Sequence, residues 1–242
     1  AQLHSLGDLL GVGDLLLGVF AIPFSVACVV YIQNAINMMD GVDGLAGGMS
    51  LIIFAGLCGT AFLAQNDQAV FQLLVLMACV GGFLIYNMRS PFLGRAKIFL
   101  GDAGSMALGV MIAWYAITLS QGQQSAIHPI SVAWMLALPI MDSFGLLAAR
   151  LKERRPVFSP DRRHFHHHFA AAGFSPAATT TVILAYSACL AAIGYGGVMM
   201  GVPDFVLGWA WVSLWIGHTL LTIKSDAFIR FLKVCRAKIL HQ

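Results

Sequence analysis

Asn34, Asn37, Asp40 and Asp43 follow one another at steps of three. That spacing sets two amides and two acids on one face of a helix. Gly41 and Gly44 interrupt the helix at the same place, as close approach of a ligand to the backbone requires. A single Asp-Gly would read as a helix cap; four polar side chains in register call for more. A second motif is Phe99-Leu100-Gly101-Asp102-Ala103-Gly104-Ser105, at the start of an apolar run. Glycines let backbone N–H groups face a phosphate, and a helix N-terminus favours the anion. A carboxylate there suits Mg²⁺, which takes one or two carboxylates together with phosphate oxygens and water. Alone, Asp102 reads equally well as an N-cap.

The third motif runs from Phe158 to Phe169 and contains Ser159-Pro160-Asp161-Arg162-Arg163-His164-Phe165-His166-His167-His168, just after Arg154-Arg155-Pro156. Neutral imidazoles can bind a transition metal. The arginines would repel a bare cation and attract a diphosphate, so the charge pattern points to an anionic ligand. Asp142 lies near the end of an apolar run after Pro139, where an ionisable residue is a functional candidate. Placement at the membrane interface is the alternative. His218 reads as a hydrogen-bonded packing residue.

The elements that position these residues follow from composition. The chain has 242 residues, 59% hydrophobic and 10% charged, with a mean hydropathy of +0.80. Soluble domains carry about a quarter charged residues. Seven apolar stretches run roughly Leu15 to Ile36, Leu45 to Ala64, Ala69 to Tyr86, Ser105 to Leu119, Ile127 to Leu147, Ala177 to Val198 and Phe205 to Ile223. Each approaches the length of about 20 residues that crosses a bilayer core. An unpaired peptide group in hydrocarbon is costly, so the runs are expected to be helices. The expected fold is all-α: a polytopic integral membrane protein with about seven transmembrane helices in one membrane-embedded domain.

All 14 lysines and arginines fall in three places: Arg89, Arg95 and Lys97; Arg150 to Arg163; and the tail from Lys224 to Lys238. The positive-inside rule makes those three segments cytoplasmic. Counting back, the Asn37–Asp43 turn is cytoplasmic too and Ala1 lies outside. All three motifs thus share one face, which suits phosphoryl transfer from a soluble nucleotide-linked donor at the membrane surface. The basic, amphipathic tail, residues 224–242, can lie on anionic lipid. The five cysteines show no disulfide framework and no zinc spacing, and read as small packing residues. No nucleic-acid partner is expected.

These motifs, in this order, resemble the polyprenyl-phosphate N-acetylhexosamine-1-phosphate transferase family (glycosyltransferase family 4). The resemblance covers essentially the whole chain. The Ser159-Pro160-Asp161-Arg162 form with His164 resembles its bacterial undecaprenyl-phosphate GlcNAc branch rather than the muramoyl-pentapeptide branch, which shares the histidine run. The resemblance implies transfer of a sugar 1-phosphate from a UDP-N-acetylhexosamine to undecaprenyl phosphate, with release of UMP. It implies Mg²⁺, or Mn²⁺, as cofactor. It implies a multi-pass protein of the bacterial inner membrane with its site on the cytoplasmic face, starting a lipid-linked cell-envelope glycan.

Residue by residue, the resemblance makes Asp40, Asp43 and Asp102 the catalytic acids, with Asp102 on the metal. It makes Asn37, Asn87, Arg162, Arg163, His164, His166 and His167 the substrate-binding set. The chain departs from the family in lacking any Asp-Asp pair, which members carry in an earlier DDxxD motif, and in having about seven spans against ten or eleven. The expectation is an N-terminally truncated enzyme, inactive by itself. A divalent-metal transporter with a histidine-rich loop, or a non-catalytic scaffold, are the readings from other classes. The span centres lack clear acids, which counts against transport.

Overall fold

The computed structural model describes residues 1–89, 94–122, 125–156 and 163–240. Every regular element among them is a helix. In chain order these are a short 3-10 helix (Gly18–Phe20), then α1 (Ala21–Met38), α2 (Leu45–Leu63), α3 (Asp67–Asn87), α4 (Gly101–Ser120), α5 (Pro129–Met135), α6 (Ala137–Lys152), α7 (Phe165–Ala171), α8 (Pro176–Met199), α9 (Asp204–Ile223) and α10 (Ser225–Leu240). Six helices are long and apolar enough to cross a membrane, and seven spans result if the bent pair α5–α6 counts as one. The protein is a multi-pass, all-α membrane protein.

Three expected boundaries shift for physical reasons. The first span does not start at Leu15. Residues 4–17 form an irregular hairpin, with the Leu6 and Leu15 N–H groups bonded to Leu15 and Gly7 carbonyls and an isolated bridge from Ser5 to Leu16. The fourth helix starts a turn earlier than Ser105, which places Asp102 in its first turn. The fifth stretch is broken by 71° between α5 and α6. Pro139 supplies the cause: its nitrogen has no hydrogen for the Met135 carbonyl, and its ring crowds that carbonyl. Helix α5 ends at Met135, and regular bonding resumes with Ile140 N–H to Leu136 O at 3.1 Å.

Two packings carry the polar residues to one end of the bundle. Helix α4 lies against the α1 backbone: a Cβ on Gly109 would stand 2.6 Å from the Gln33 Cα, so only glycine admits this approach. Helix α6 packs along α9 and α1. The expected tail segment is helix α10. Its apolar side does not lie wholly free: Phe228 and Leu232 are buried, while Phe231 and Val234 stay exposed.

Candidate functional site

The α1 C-terminus and the α4 N-terminus meet through side chains. The Asn37 amide donates to Asp102 Oδ1 at 3.0 Å and to Ser105 Oγ at 2.9 Å. The first and second motifs are therefore one structure. Asp102 is exposed at the helix start, where the unpaired N–H groups lie. A backbone N–H of Gly101 also bonds Asp40. Burial raises the Asp40 carboxyl above the ordinary aspartate value, the Gly101 bond opposes this, and the charges of Asp102 and Asp43 raise it further. Crowded carboxylates of this kind favour a cation between them.

Asp43 is turned the other way. Its Oδ2 accepts from Arg89 Nε at 2.7 Å, and its backbone carbonyl accepts from Thr180 Oγ1 at 2.9 Å. Asn87 is buried, with its Oδ1 accepting from Gly44 N–H at 2.8 Å and its amide donating to the Ile98 carbonyl at 2.8 Å. Its amide group thus ties the Asp43–Gly44 turn to the loop before α4. Asn34, the first of the stepped residues, is exposed and donates to its own helix, at Val30 O.

The histidine motif reaches the same turn through α7. The His166 ring lies against Gly41, in space that any side chain at 41 would fill. His166 is only 2% exposed, and burial first, then the neighbouring His167, lower its pKa to about 4. It is a neutral ring at neutral pH. His164 stacks parallel to it, with ring centroids 5.8 Å apart, and His167 lies 4.2 Å from it. Arg163 makes a two-pronged contact with Glu153, its Nη2 lying 3.0 Å from Oε2. Ser159 to Arg162 lie outside the described residues.

Two groups named in the sequence are buried with partners that the sequence does not show. His168 is 2% exposed and packs edge-on against Phe228 of α10, and burial lowers its pKa to about 4. Asp142 is fully buried within the protein. It bonds His164 Nδ1 at 2.8 Å and the Phe165 N–H at 2.7 Å. The helical register of α7, beginning at Phe165, separates His166 from His168, and the run of three histidines does not reveal it.

Among the described residues no three His, Cys, Asp or Glu side chains gather as a metal cage. Asp102, with Asp40 alongside, offers the one or two carboxylates that Mg²⁺ takes when phosphate and water complete its shell. The donor set fits that ion, and it does not fit a structural zinc site.

Residues 1–120 match the family model described as glycosyl transferase family 4. The chain is 33% identical over 215 residues to the undecaprenyl-phosphate alpha-N-acetylglucosaminyl 1-phosphate transferase of Escherichia coli (strain K12), which covers 88% of this chain and 57% of that protein. The same-named protein of Yersinia pestis is 32% identical over 215 residues, covering 88% and 58%. That of Haemophilus influenzae is 32% identical over 209 residues, covering 86% and 58%. The chain spans somewhat more than half the length of these curated relatives.

Proposed function

We propose that this chain, which belongs to glycosyl transferase family 4, carries the donor side of an enzyme that moves N-acetylglucosamine 1-phosphate from UDP-GlcNAc to undecaprenyl phosphate. The observation that carries this reading is the convergence of three distant motifs on one turn. Asn37 bonds Asp102 across α1 and α4, and His166 of α7 fills the space beside Gly41. Carboxylates, amides and imidazoles then face one ligand, and every lysine and arginine lies at that end of the chain's topology. The positive-inside rule makes it the cytoplasmic face of a bacterial inner membrane.

The balance of the reaction is simple. An oxygen of undecaprenyl phosphate forms a bond to the sugar-bearing phosphorus of the donor. The bond from that phosphorus to the bridging oxygen breaks, and UMP leaves with the oxygen. Asp102, with Asp40, would hold Mg²⁺, which when bound neutralises diphosphate charge. Asn37 fixes the Asp102 carboxylate in one orientation. Arg162, Arg163, His164 and His167 are assigned to the donor diphosphate, where fixed positive dipoles and charges stabilise a transferring phosphoryl group. His166, neutral and wedged on Gly41, holds α7 against the turn. Asn87 and the Arg89–Asp43 pair brace the turn from the other side.

The names of the relatives favour GlcNAc over a muramoyl-pentapeptide donor. A transporter would also use a broken span and a buried acid, and both occur here. However, the acid is already bonded to His164 and Phe165. The test uses the chain in lipid nanodiscs, with Mg²⁺-dependent binding of UDP-GlcNAc followed by calorimetry. Binding that needs Mg²⁺ and is lost in Asp102→Asn is the expected result. Equal binding with a chelator present would overturn it.

A further inference from the structure

The most buried acid among the described residues lies outside the set assigned to the donor. Among the described residues Asp142 is the carboxylate with no exposure at all. A carboxylate is costly to bury unless it is paired and hydrogen-bonded. Here its two oxygens are divided. Oδ1 accepts the Phe165 N–H at 2.7 Å, and Oδ2 lies 2.8 Å from His164 Nδ1. From α9, His218 Nε2 stands 3.8 Å from Oδ1. One carboxylate on α6 thus fixes the first amide of α7 and the ring of the residue before it.

Simple charge neutralisation would not require this arrangement, since either contact alone would serve. A carboxylate at Nδ1 selects the protonated form of that nitrogen and leaves Nε2, on the far edge of the ring, as the atom available to a ligand. The His164 ring keeps a small exposure of 12% on its side chain. Its plane is parallel to His166, which is wedged on Gly41. A continuous set of contacts therefore runs from Asp142 through His164 and His166 to the Asp40–Asp43 turn.

We infer that Asp142 is a positioning residue, which holds His164 with Nδ1 protonated and turned into the bundle, so that Nε2 is the ring atom presented to the donor diphosphate. This rests on the donor-site reading of the histidine motif. A diphosphate oxygen accepts hydrogen bonds and gives none, so Nε2 must carry a proton in the bound state. The positive ring is then matched by the Asp142 carboxylate beneath it. The groups facing His164 are Asp142 from α6, His166 and His167 on α7, and His218 from α9 behind the carboxylate.

The experiment is ¹⁵N NMR of histidine-labelled protein in nanodiscs, with His164 assigned by its loss in His164→Gln. The expected wild-type spectrum has Nδ1 of His164 protonated. Asp142→Asn is expected to mix the two tautomers and to weaken Mg²⁺-dependent UDP-GlcNAc binding about tenfold, with Asp142→Glu recovering part of both. A wild-type His164 with bare Nδ1 overturns the proposal, and so does an unchanged ring spectrum in Asp142→Asn. A purely structural role for Asp142 would lower melting temperature and affinity without moving the tautomer, which also counts against it. If Asp142→Asn does not fold, the wild-type spectrum decides. The two readings fail separately: undiminished UDP-GlcNAc binding by His164→Gln removes His164 from the donor site, whereas the tautomer alone decides its relation to Asp142.

Discussion

The two ends of the helix bundle both gather polar residues, and they treat them in opposite ways. At the end away from the motifs, Gln121 accepts from the His4 and Ser5 N–H groups and donates to the Ser5 carbonyl. Asp8 Oδ1 accepts three backbone N–H groups, and Asp204 meets His128 at 3.0 Å. Those contacts saturate a hairpin and two loops without a single lysine or arginine. At the motif end, no ion pair among the described residues joins Asp40 or Asp102 to a cation. His166 and His168 are buried, with both ring nitrogens lacking a hydrogen-bond partner among the described residues. Buried polar groups are normally satisfied. One end of this protein is finished by folding, and the other leaves Asp40 and Asp102 unmatched by a cation among the described residues.

That contrast can be broken by substitution. The largest effect is expected from Asp102→Asn, which keeps the shape but removes the charge. UMP release by enzyme containing this chain should fall about 10²–10³-fold, read with undecaprenyl phosphate, UDP-GlcNAc and Mg²⁺. Gly41→Ala comes next. Its methyl group would overlap the His166 ring, and such overpacking costs about 1–3 kcal/mol. Thermal unfolding in detergent should show the loss, with weaker UDP-GlcNAc binding as α7 lifts from the turn.

Acid should distinguish the ends as well. His166 and His168 have pKa values lowered to about 4, against an ordinary value near 6.5. The unfolded chain therefore binds more protons in that interval. Stability is fully retained above about pH 6.5 and is lost progressively as pH falls toward 4. His168→Phe should flatten that loss, as seen in melting temperature against pH. The smallest effect belongs to the opposite end. The His128–Asp204 pair has an exposed histidine, so His128→Ala should cost at most about 1 kcal/mol and leave UDP-GlcNAc affinity unchanged. A loss of affinity there would erase the distinction between the ends.

Much of this was legible in the residues. Apolar runs bounded by charged loops announced the spans, because few other structures survive in hydrocarbon. The one-sided cations predicted that Asn37, Asp40, Asp102 and the histidines belong to one end. The Asn37–Asp102 bond brings the first two motifs together, and the Gly41–His166 contact joins the third. Other features were hidden for identifiable reasons. Pro139 was visible, but the 71° break it causes depends on how α5 and α6 each find partners. Asp142 was visible as an acid, yet its depth depends on α7 folding back over α6. Asn87 was expected to bind substrate; that its amide also braces two backbone segments depends on contacts remote in sequence. Hydropathy alone could not show that the Leu15 end of the first run belongs to a hairpin.

The contact between Gly41 and His166 has a consequence for inheritance. Two positions far apart in the chain occupy one volume, so neither can vary alone. A side chain gained at 41 would be tolerated only with a smaller residue at 166, and a smaller residue at 166 would leave a void that only a larger residue at 41 could fill. Paired libraries at these sites should therefore show strong epistasis: single changes eliminated, and the few survivors arriving as compensated doubles. The donor turn and the histidine helix would then evolve as one character.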